Sequence, residues 1–292
     1  FKKREILRIA IRDVSIQAPL TSIIREISLL AEVMVQIVLK RIWQDLDKEY
    51  RDIDFLQDSF CILALGKLGA RELNYSSDID LLVFYHESVL ENTKYSVSEV
   101  ENIYKKVMEK LKEKLSCYTL EGYAYRVDLN LRPFGKAGNL VSAYTGLLKY
   151  YEKAAGLWEL QALLKVSPIA GNWWYGFSFI YEIKKIVDIR LDESLVGDNI
   201  KSLRKIAVSR DKRKLLPGID IKNGEGGIRD IEFLVQGLQL KNLRKYPELF
   251  RGETLKALDI LKDKCVLDGV VVDKLKKNYL FFRRVEHFLQ IL

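Results

Sequence analysis

Two aspartates, Asp78 and Asp80, open an apolar run that ends at Tyr85. A glycine turn, Gly66 to Gly69, and a serine pair, Ser76 and Ser77, stand ahead of them, and a second apolar run, 60–65, leads into the turn. Strand side chains alternate between faces, so residues two apart point the same way. The two carboxylates therefore project together, about 7 Å apart along the backbone. Paired carboxylates on a rigid element repel one another and invite a divalent cation. Mg²⁺ takes one or two such groups and completes its shell with phosphate oxygens and water. Glycines ahead of the pair let backbone N–H groups approach a phosphate closely. The local chemistry is that of a metal-dependent nucleotide site, although a lone Asp-x-Asp also reads as a solvated turn.

A third carboxylate strengthens the first reading. Residues 122–132 alternate, with Tyr123, Tyr125, Val127, Leu129 and Leu131 on one face and Ala124, Arg126, Asp128, Asn130 and Arg132 on the other. The pattern predicts a strand whose charged face cannot enter an apolar core without large cost, so it lines a cleft. Placed beside the Asp78 strand, Asp128 completes a three-carboxylate set able to hold two metal ions about 4 Å apart. Arg126 and Arg132 would then flank the metals and pair phosphate oxygens. The plain alternative is a salt-laced exposed sheet face. The catalytic reading requires Asp128 within about 10 Å of the other two.

The elements that must position these residues follow from periodicity. Residues 5–50 show helical spacing in two stretches separated by Pro19, and 97–115 carries a helical apolar face. Helical periodicity resumes near Tyr144 and runs to the end, broken by the glycine-rich segment 217–233. The last helix is expected to bury Tyr279, Phe282, Val285 and Leu289. The fold class is α+β: a small sheet flanked by N-terminal helices and a C-terminal helical bundle. Expected domains are 1–55, 56–170 and 171–292.

Composition narrows the class. The chain has 292 residues, 48% apolar and 30% charged, an ordinary globular balance. No apolar run approaches the roughly 20 residues of a membrane span. The stretch 23–39 is interrupted by Arg25, Glu26 and Glu32 and reads as a buried bundle helix. Three scattered cysteines, Cys61, Cys117 and Cys265, suggest reduced thiols and a cytoplasmic setting. His86 and His287 stand far apart in sequence, which disfavours a zinc site or a His-based triad. A net charge of +8 favours an anionic partner, whether nucleotide, nucleic acid or acidic protein. The basic run Arg204, Lys205, Arg210, Lys212, Arg213 and Lys214 reads as a solvated helix face. Phe1 in place of methionine and the apolar C-terminus suggest a piece of a longer polypeptide.

The pattern Gly66-Lys67 with Ser77-Asp78-Ile79-Asp80 and a later Asp128 resembles the DNA polymerase β-like nucleotidyltransferase superfamily. The longer strings GKLGARELNYSSDIDLLVFY, RVDLNLRPFGKAGNLV, WELQALLKV and GEGGIRDIEFLVQGLQL resemble the glutamine synthetase adenylyltransferase family, and the likeness extends from FKKREILRIAIRD to RRVEHFLQIL. The resemblance implies a polymerase β-like core and one of two related halves. One half attaches AMP from ATP to a tyrosine of glutamine synthetase; the other removes it by phosphorolysis and releases ADP. FKKREILRIAIRD and Arg229 resemble the N-terminal, adenylyl-removing half.

By the same resemblance, Asp78, Asp80 and Asp128 are catalytic ligands of Mg²⁺ or Mn²⁺. Gly66, Lys67 and Gly69 cradle phosphates, Ser77 donates to one, and Trp158, Lys165 and Arg229 lie beside the cleft, with Asp230 and Glu232 in support. ATP, ADP and phosphate are the small substrates or products. Glutamine synthetase is the partner, with a PII-type signal protein acting through other parts of a full-length chain, and no membrane or nucleic acid is implied. Two positions depart from the family pattern: Ala70 replaces glycine and Asn130 replaces arginine. Read by themselves, Lys67 is a solvated turn lysine or a phosphate ligand, Glu72 and Asn74 cap the segment between strands, and Trp158 is a core aromatic seven residues from Lys165 on one helix face. The alternatives are the ATP-dependent adenylylating half and an RNA or tRNA nucleotidyltransferase. The latter would need aromatics exposed along a basic groove, whereas most here fall at core spacing.

Overall fold

The two continuous apolar runs form the centre of the sheet. In the computed structural model, which describes residues 1–211 and 220–291, they are β1 (Phe60–Leu65) and β2 (Ile79–Tyr85). Both are buried on both faces except at Asp80, which explains why their sequences are continuously apolar rather than alternating. They pair antiparallel with Leu65 opposite Asp80. β3 (Val127–Asp128) runs parallel to β2, with Val127 opposite Ile79 and Asp128 opposite Asp80. β4 (Ser142–Ala143) pairs with the far end of β2, and β5 (Ser167–Gly171) flanks β1. The order is β3-β2-β1-β5 in a mixed sheet.

Helices surround this sheet in chain order. α1 (Lys2–Val14), α2 (Leu20–Leu46) and α3 (Ile53–Asp58) precede it; the single-turn α4 (Gly66–Gly69) joins β1 to β2; and α5 (Val89–Asn92) and α6 (Val97–Ser116) separate β2 from β3. α7 (Tyr144–Lys153) and α8 (Leu157–Ala162) lead to β5. α9 (Trp173–Arg190), α10 (Val196–Asp211), α11 (Ile228–Asn242), α12 (Thr254–Asp263) and α13 (Gly269–Ile291) make the C-terminal bundle. One sheet face, with Phe60, Ile62, Leu81 and Val83, packs with α2 and α6. The other, with Cys61, Leu63, Leu82 and Phe84, packs with α7, α9 and α11. Asp80 shares the second face by alternation, and so does its register partner Asp128, because Val127 and Leu129 pack into the first. No helix among the described residues is long and apolar enough to cross a membrane.

Several expectations need correction. The strand over 122–132 shrinks to two residues. The burial alternation survives at Tyr125, Val127 and Leu129, but the chain turns at once after Leu129, with the Arg132 amide bonded to the Leu129 carbonyl. β4 and β5 were not legible: one is two residues long, and the other reads Ser-Pro-Ile-Ala-Gly, with a proline that only an edge strand tolerates. In α13 the buried face is Tyr279, Arg283, Glu286 and His287, whereas Leu289 is exposed and Phe282 and Val285 are half-buried. Trp158 is 44% exposed and does not share a helix face with Lys165, because α8 gives way to a 3₁₀ turn, Leu163–Lys165. Of the basic run, Lys205 is exposed, whereas Arg204 is half-buried against Asp230. The Arg210 side chain, Lys212, Arg213 and Lys214 lie outside the described residues, as do Pro217, Gly218 and Ile219.

The turn between β1 and β2 is set by steric demand. Ala70 adopts φ −80°, which accommodates alanine at this departure from the family pattern. Gly69 has no such latitude: a Cβ there would lie 1.8 Å from the Lys165 carbonyl oxygen and 2.5 Å from that of Ala64. Gly69→Ala is expected to destabilise the fold by about 3 kcal/mol, the range of core overpacking, measured by urea denaturation.

Candidate active site

β2 and β3 bring the predicted carboxylates to one end of the sheet. In-register parallel pairing puts the Asp80 and Asp128 backbones about 5 Å apart, well inside the 10 Å requirement. On its other side Asp80 faces α4: the Asp80 carboxylate packs on Gly66, where a Cβ would come within 2.5 Å of Oδ2. Gly66 also holds φ +57°, so side-chain clearance and backbone conformation both demand glycine. Among the described residues no group donates a hydrogen bond to the Asp80 carboxylate. Burial first, then the charges of Asp128 and Asp78, push its pKa up to about 7.

The three carboxylates do not stand as a finished metal cage. Among the described residues, no group of three or more His, Cys, Asp or Glu is in metal-binding geometry. Asp78 instead pairs with Arg126, Nε to Oδ1 at 2.5 Å, and Asp128 accepts the Asn130 amide at 2.7 Å. Mutual repulsion accounts for this: each outer carboxylate takes the nearest donor, and the half-buried Asp80 between them is left without one. An all-carboxylate oxygen set suits a hard cation such as Mg²⁺ or Mn²⁺. Asp78 would join it by releasing Arg126.

A cleft of about 590 Å³ opens over these groups. Gly66, Lys67, Ser77, Arg126, Lys165 and Arg229 all line it, as expected, and so does Lys222, which the sequence did not single out. Gly69 lies behind this wall against Lys165, and its role is packing rather than contact with a phosphate. Arg132 is a clear correction. It is buried, its guanidinium donates to the carbonyls of Leu129, Lys136 and Gly138, and it does not line the cleft, so it fastens the turn after β3. Ser77 Oγ accepts the Asn74 amide. Gly226 and Gly227 precede α11, but the Gly226 amide is taken by Asp230, which also pairs with Arg204.

Lys67 is not a solvated turn lysine. It pairs with Glu286 at 3.2 Å; burial, reinforced by Arg283, lowers its pKa to about 8. Lys165 is buried between Glu72 and Glu232, at 3.5 and 3.4 Å. Burial alone would raise the Glu232 pKa, but Lys165, Lys67 and Arg283 outweigh it and hold it at about 2. Glu72 caps a helix, though not the local one: it accepts the amide and hydroxyl of Thr254, at the start of α12. Arg283 reaches the Glu72 carbonyl and the Asn74 side chain, and the His287 ring bridges Asn74 and Asp13. Arg283, Glu286 and His287 were missed in the sequence. Their spacing from Tyr279 places them on one helix face, a signal that an apolar search passes over.

Two outcomes follow. In EDTA-containing buffer, folded Asp80 keeps its proton up to about pH 7 while the unfolded chain releases it near 3.8, so stability falls as pH rises through that window. Asp80→Asn should therefore be more stable than wild type at pH 8, by at most about 4 kcal/mol, with the gain vanishing towards pH 4 in thermal unfolding. Lys165→Met leaves Glu72 and Glu232 buried without their cation and should cost about 4 kcal/mol in chemical denaturation.

Comparison with known proteins gives the family of the chain. Residues 1–179 match the family model of glutamate-ammonia ligase adenylyltransferase, and residues 199–292 match that of GlnD PII-uridylyltransferase. Proteins named bifunctional glutamine synthetase adenylyltransferase/adenylyl-removing enzyme align along nearly the whole chain. That of Shewanella woodyi is 32% identical over 302 residues, covering 99% of this chain and 31% of the relative. Those of Nitrosococcus oceani and Pseudomonas aeruginosa are 33% and 32% identical, covering 99% and 100% of this chain and 30% of each relative. The chain thus spans about three tenths of the length of the curated relatives it matches. With the family model covering more than half of its residues, the chain belongs to the glutamate-ammonia ligase adenylyltransferase family.

Proposed function

We propose that this chain is a metal-dependent nucleotidyltransferase unit that removes AMP from an adenylylated tyrosine of glutamine synthetase by phosphorolysis. The observation that carries the reading is the in-register pairing of Asp80 with Asp128 under a cleft walled by Lys67, Lys222 and Arg229. A phosphate oxygen attacks the AMP phosphorus, a new P–O bond forms, the bond to the tyrosyl oxygen breaks, and ADP leaves while the phenolate takes a proton from solvent. Phosphate is already anionic at neutral pH, so the reaction needs orientation and charge neutralisation more than a base. Lys67, Lys222 and Arg229 supply fixed positive charge for the incoming phosphate. Asp78, Asp80 and Asp128 would hold Mg²⁺ or Mn²⁺, which when bound offsets negative charge on the transferring group.

The opposite reaction, ATP-dependent adenylylation, is the second reading. The relatives are named for both activities, and the same cleft would serve either direction. The domain division at 1–55, 56–170 and 171–292, a cytoplasmic setting, and a PII-type signal protein as partner belong to the same proposal. Three free cysteines and the PII-uridylyltransferase match support the last two.

Radiolabelled AMP-glutamine synthetase incubated with phosphate and Mn²⁺ should yield labelled ADP. Label transfer from ATP to unmodified synthetase, without ADP release from the modified form, would assign the opposite direction. Asp128→Asn should lower ADP formation about 10³-fold and remove the Mn²⁺-dependent rise in melting temperature, while leaving the metal-free melting temperature close to wild type.

A further inference from the structure

A cavity of about 320 Å³ borders Gly69 and Ala70 and shares no lining residue with the large cleft. Its walls are the start of β5, one face of α9 and residues 250–253 ahead of α12. The α9 wall is Trp173, Phe177, Ile180 and Lys184, spaced four, three and four residues apart on one helix face. Trp173 is 37% and Phe177 57% exposed, so the core leaves ring surface uncovered here. These walls are fixed before a ligand arrives. α9 is pinned to β5 at Gly176, where a Cβ would stand 2.6 Å from Pro168 Cβ. The buried Gln239 side chain donates to the Leu249 and Arg251 carbonyls at 2.7 and 2.8 Å. Gly252 packs on Ala70 so closely that a Cβ would lie 2.9 Å from its Cα.

The polar groups of the cavity are incompletely matched by the protein. Lys184 forms no hydrogen bond or ion pair among the described residues, and its ammonium lies 5.5 Å from the centroid of the Phe250 ring. Arg251 follows Phe250, and its Nε is buried without a hydrogen-bond partner. Glu253 stands 3.7 Å from that nitrogen but only 2.6 Å from Lys256. Ser167 Oγ, at the start of β5, is likewise buried without a partner. Arg71 also lines the cavity, but it is engaged by Glu32. A buried polar atom without a partner costs stability, and a ligand oxygen would remove that cost. We propose that the cavity binds a small molecule made of a flat apolar ring and a carboxylate, the ring against Trp173, Phe177 and Ile180 and the carboxylate on Arg251 and Lys184. The planar guanidinium fork suits a carboxylate, and the volume is that of a pocket for one small ligand. The assignment does not depend on the nucleotidyl-transfer reading, because the two sites have separate walls.

The test is a ligand-observed NMR titration of the chain with indole-3-propionate, which carries one ring system and one carboxylate. Binding is expected with a Kd on the order of 1 mM. The uncharged indole-3-propionamide should bind wild type about tenfold more weakly, and Arg251→Gln should weaken the acid by about the same factor. Phe177→Ser, at an exposed position that spares folding, should weaken acid and amide alike by about fivefold. Saturating ADP should leave the affinity for the acid within about twofold. The comparison of acid with amide on wild type carries the test should Arg251→Gln fail to fold. Equal binding of acid and amide, no binding of the acid up to about 10 mM, or unchanged affinity in folded Arg251→Gln or Phe177→Ser would overturn the proposal. Displacement of the probe by ADP would place it in the large cleft and overturn the proposal as well.

Discussion

The Glu72 carboxylate is the constraint on which the arrangement of the chain depends. It leaves the turn after β1 and accepts the amide of Thr254 at 2.8 Å and its hydroxyl at 3.1 Å, 182 residues away in sequence. Lys165 and the Tyr279 hydroxyl approach the same carboxylate, and Arg283 donates to the Glu72 carbonyl at 2.7 Å. A buried charge is tolerable only when its lone pairs are filled. Glu72 can be satisfied only if α12, α13 and the 3₁₀ turn before β5 arrive together. Apolar packing would allow the bundle to slide or rotate on the sheet; this network gives it one seat.

The cleft inherits its shape from that seat. Its carboxylate wall belongs to β2 and β3, but Lys222, Arg229, Glu232 and Glu286 come from the bundle. Lys67 is held at the edge of the cleft by Glu286 of α13. The loop bearing Lys222 is braced as well: Arg204 donates to the Asn223 carbonyl and pairs with Asp230, while Asp230 accepts the Gly226 amide. Positive charge is thus fixed opposite the carboxylates before a ligand arrives, the condition under which electrostatic stabilisation needs no reorganisation. Asp80 bears the counterpart of this arrangement: its burial beside Asp128 and Asp78 raises its pKa towards neutrality and sacrifices stability at the point where the chemistry would occur.

The sequence showed the parts of this design that are local. Continuous apolar runs identified β1 and β2, the 3.6-residue period identified α2 and α6, and the spacing of Asp78, Asp80 and Asp128 identified the acidic end of the sheet. Residues whose roles are long-range were misread in consistent ways. Arg132 looked like a phosphate ligand because it sat on the polar side of an alternating pattern, yet its partners are carbonyls of a turn that alternation does not report. Glu72 looked like a local cap because its partner Thr254 is 182 positions distant, and the turn reading of Lys67 fails because its partner Glu286 is 219 positions away.

By itself, then, the sequence determined which side chains are the candidates for chemistry and which long segments are strand or helix, because those properties depend on residue type and on periods of two and 3.6. Only the tertiary structure decided that Asp128 stands beside Asp80, that Arg126 holds Asp78, and that a polar stripe of α13 closes the core. The physical reason is that strand register and the pairing of buried charges are settled between segments far apart in the chain. Each is fixed by the cost of leaving the other unsatisfied, a quantity no local window contains.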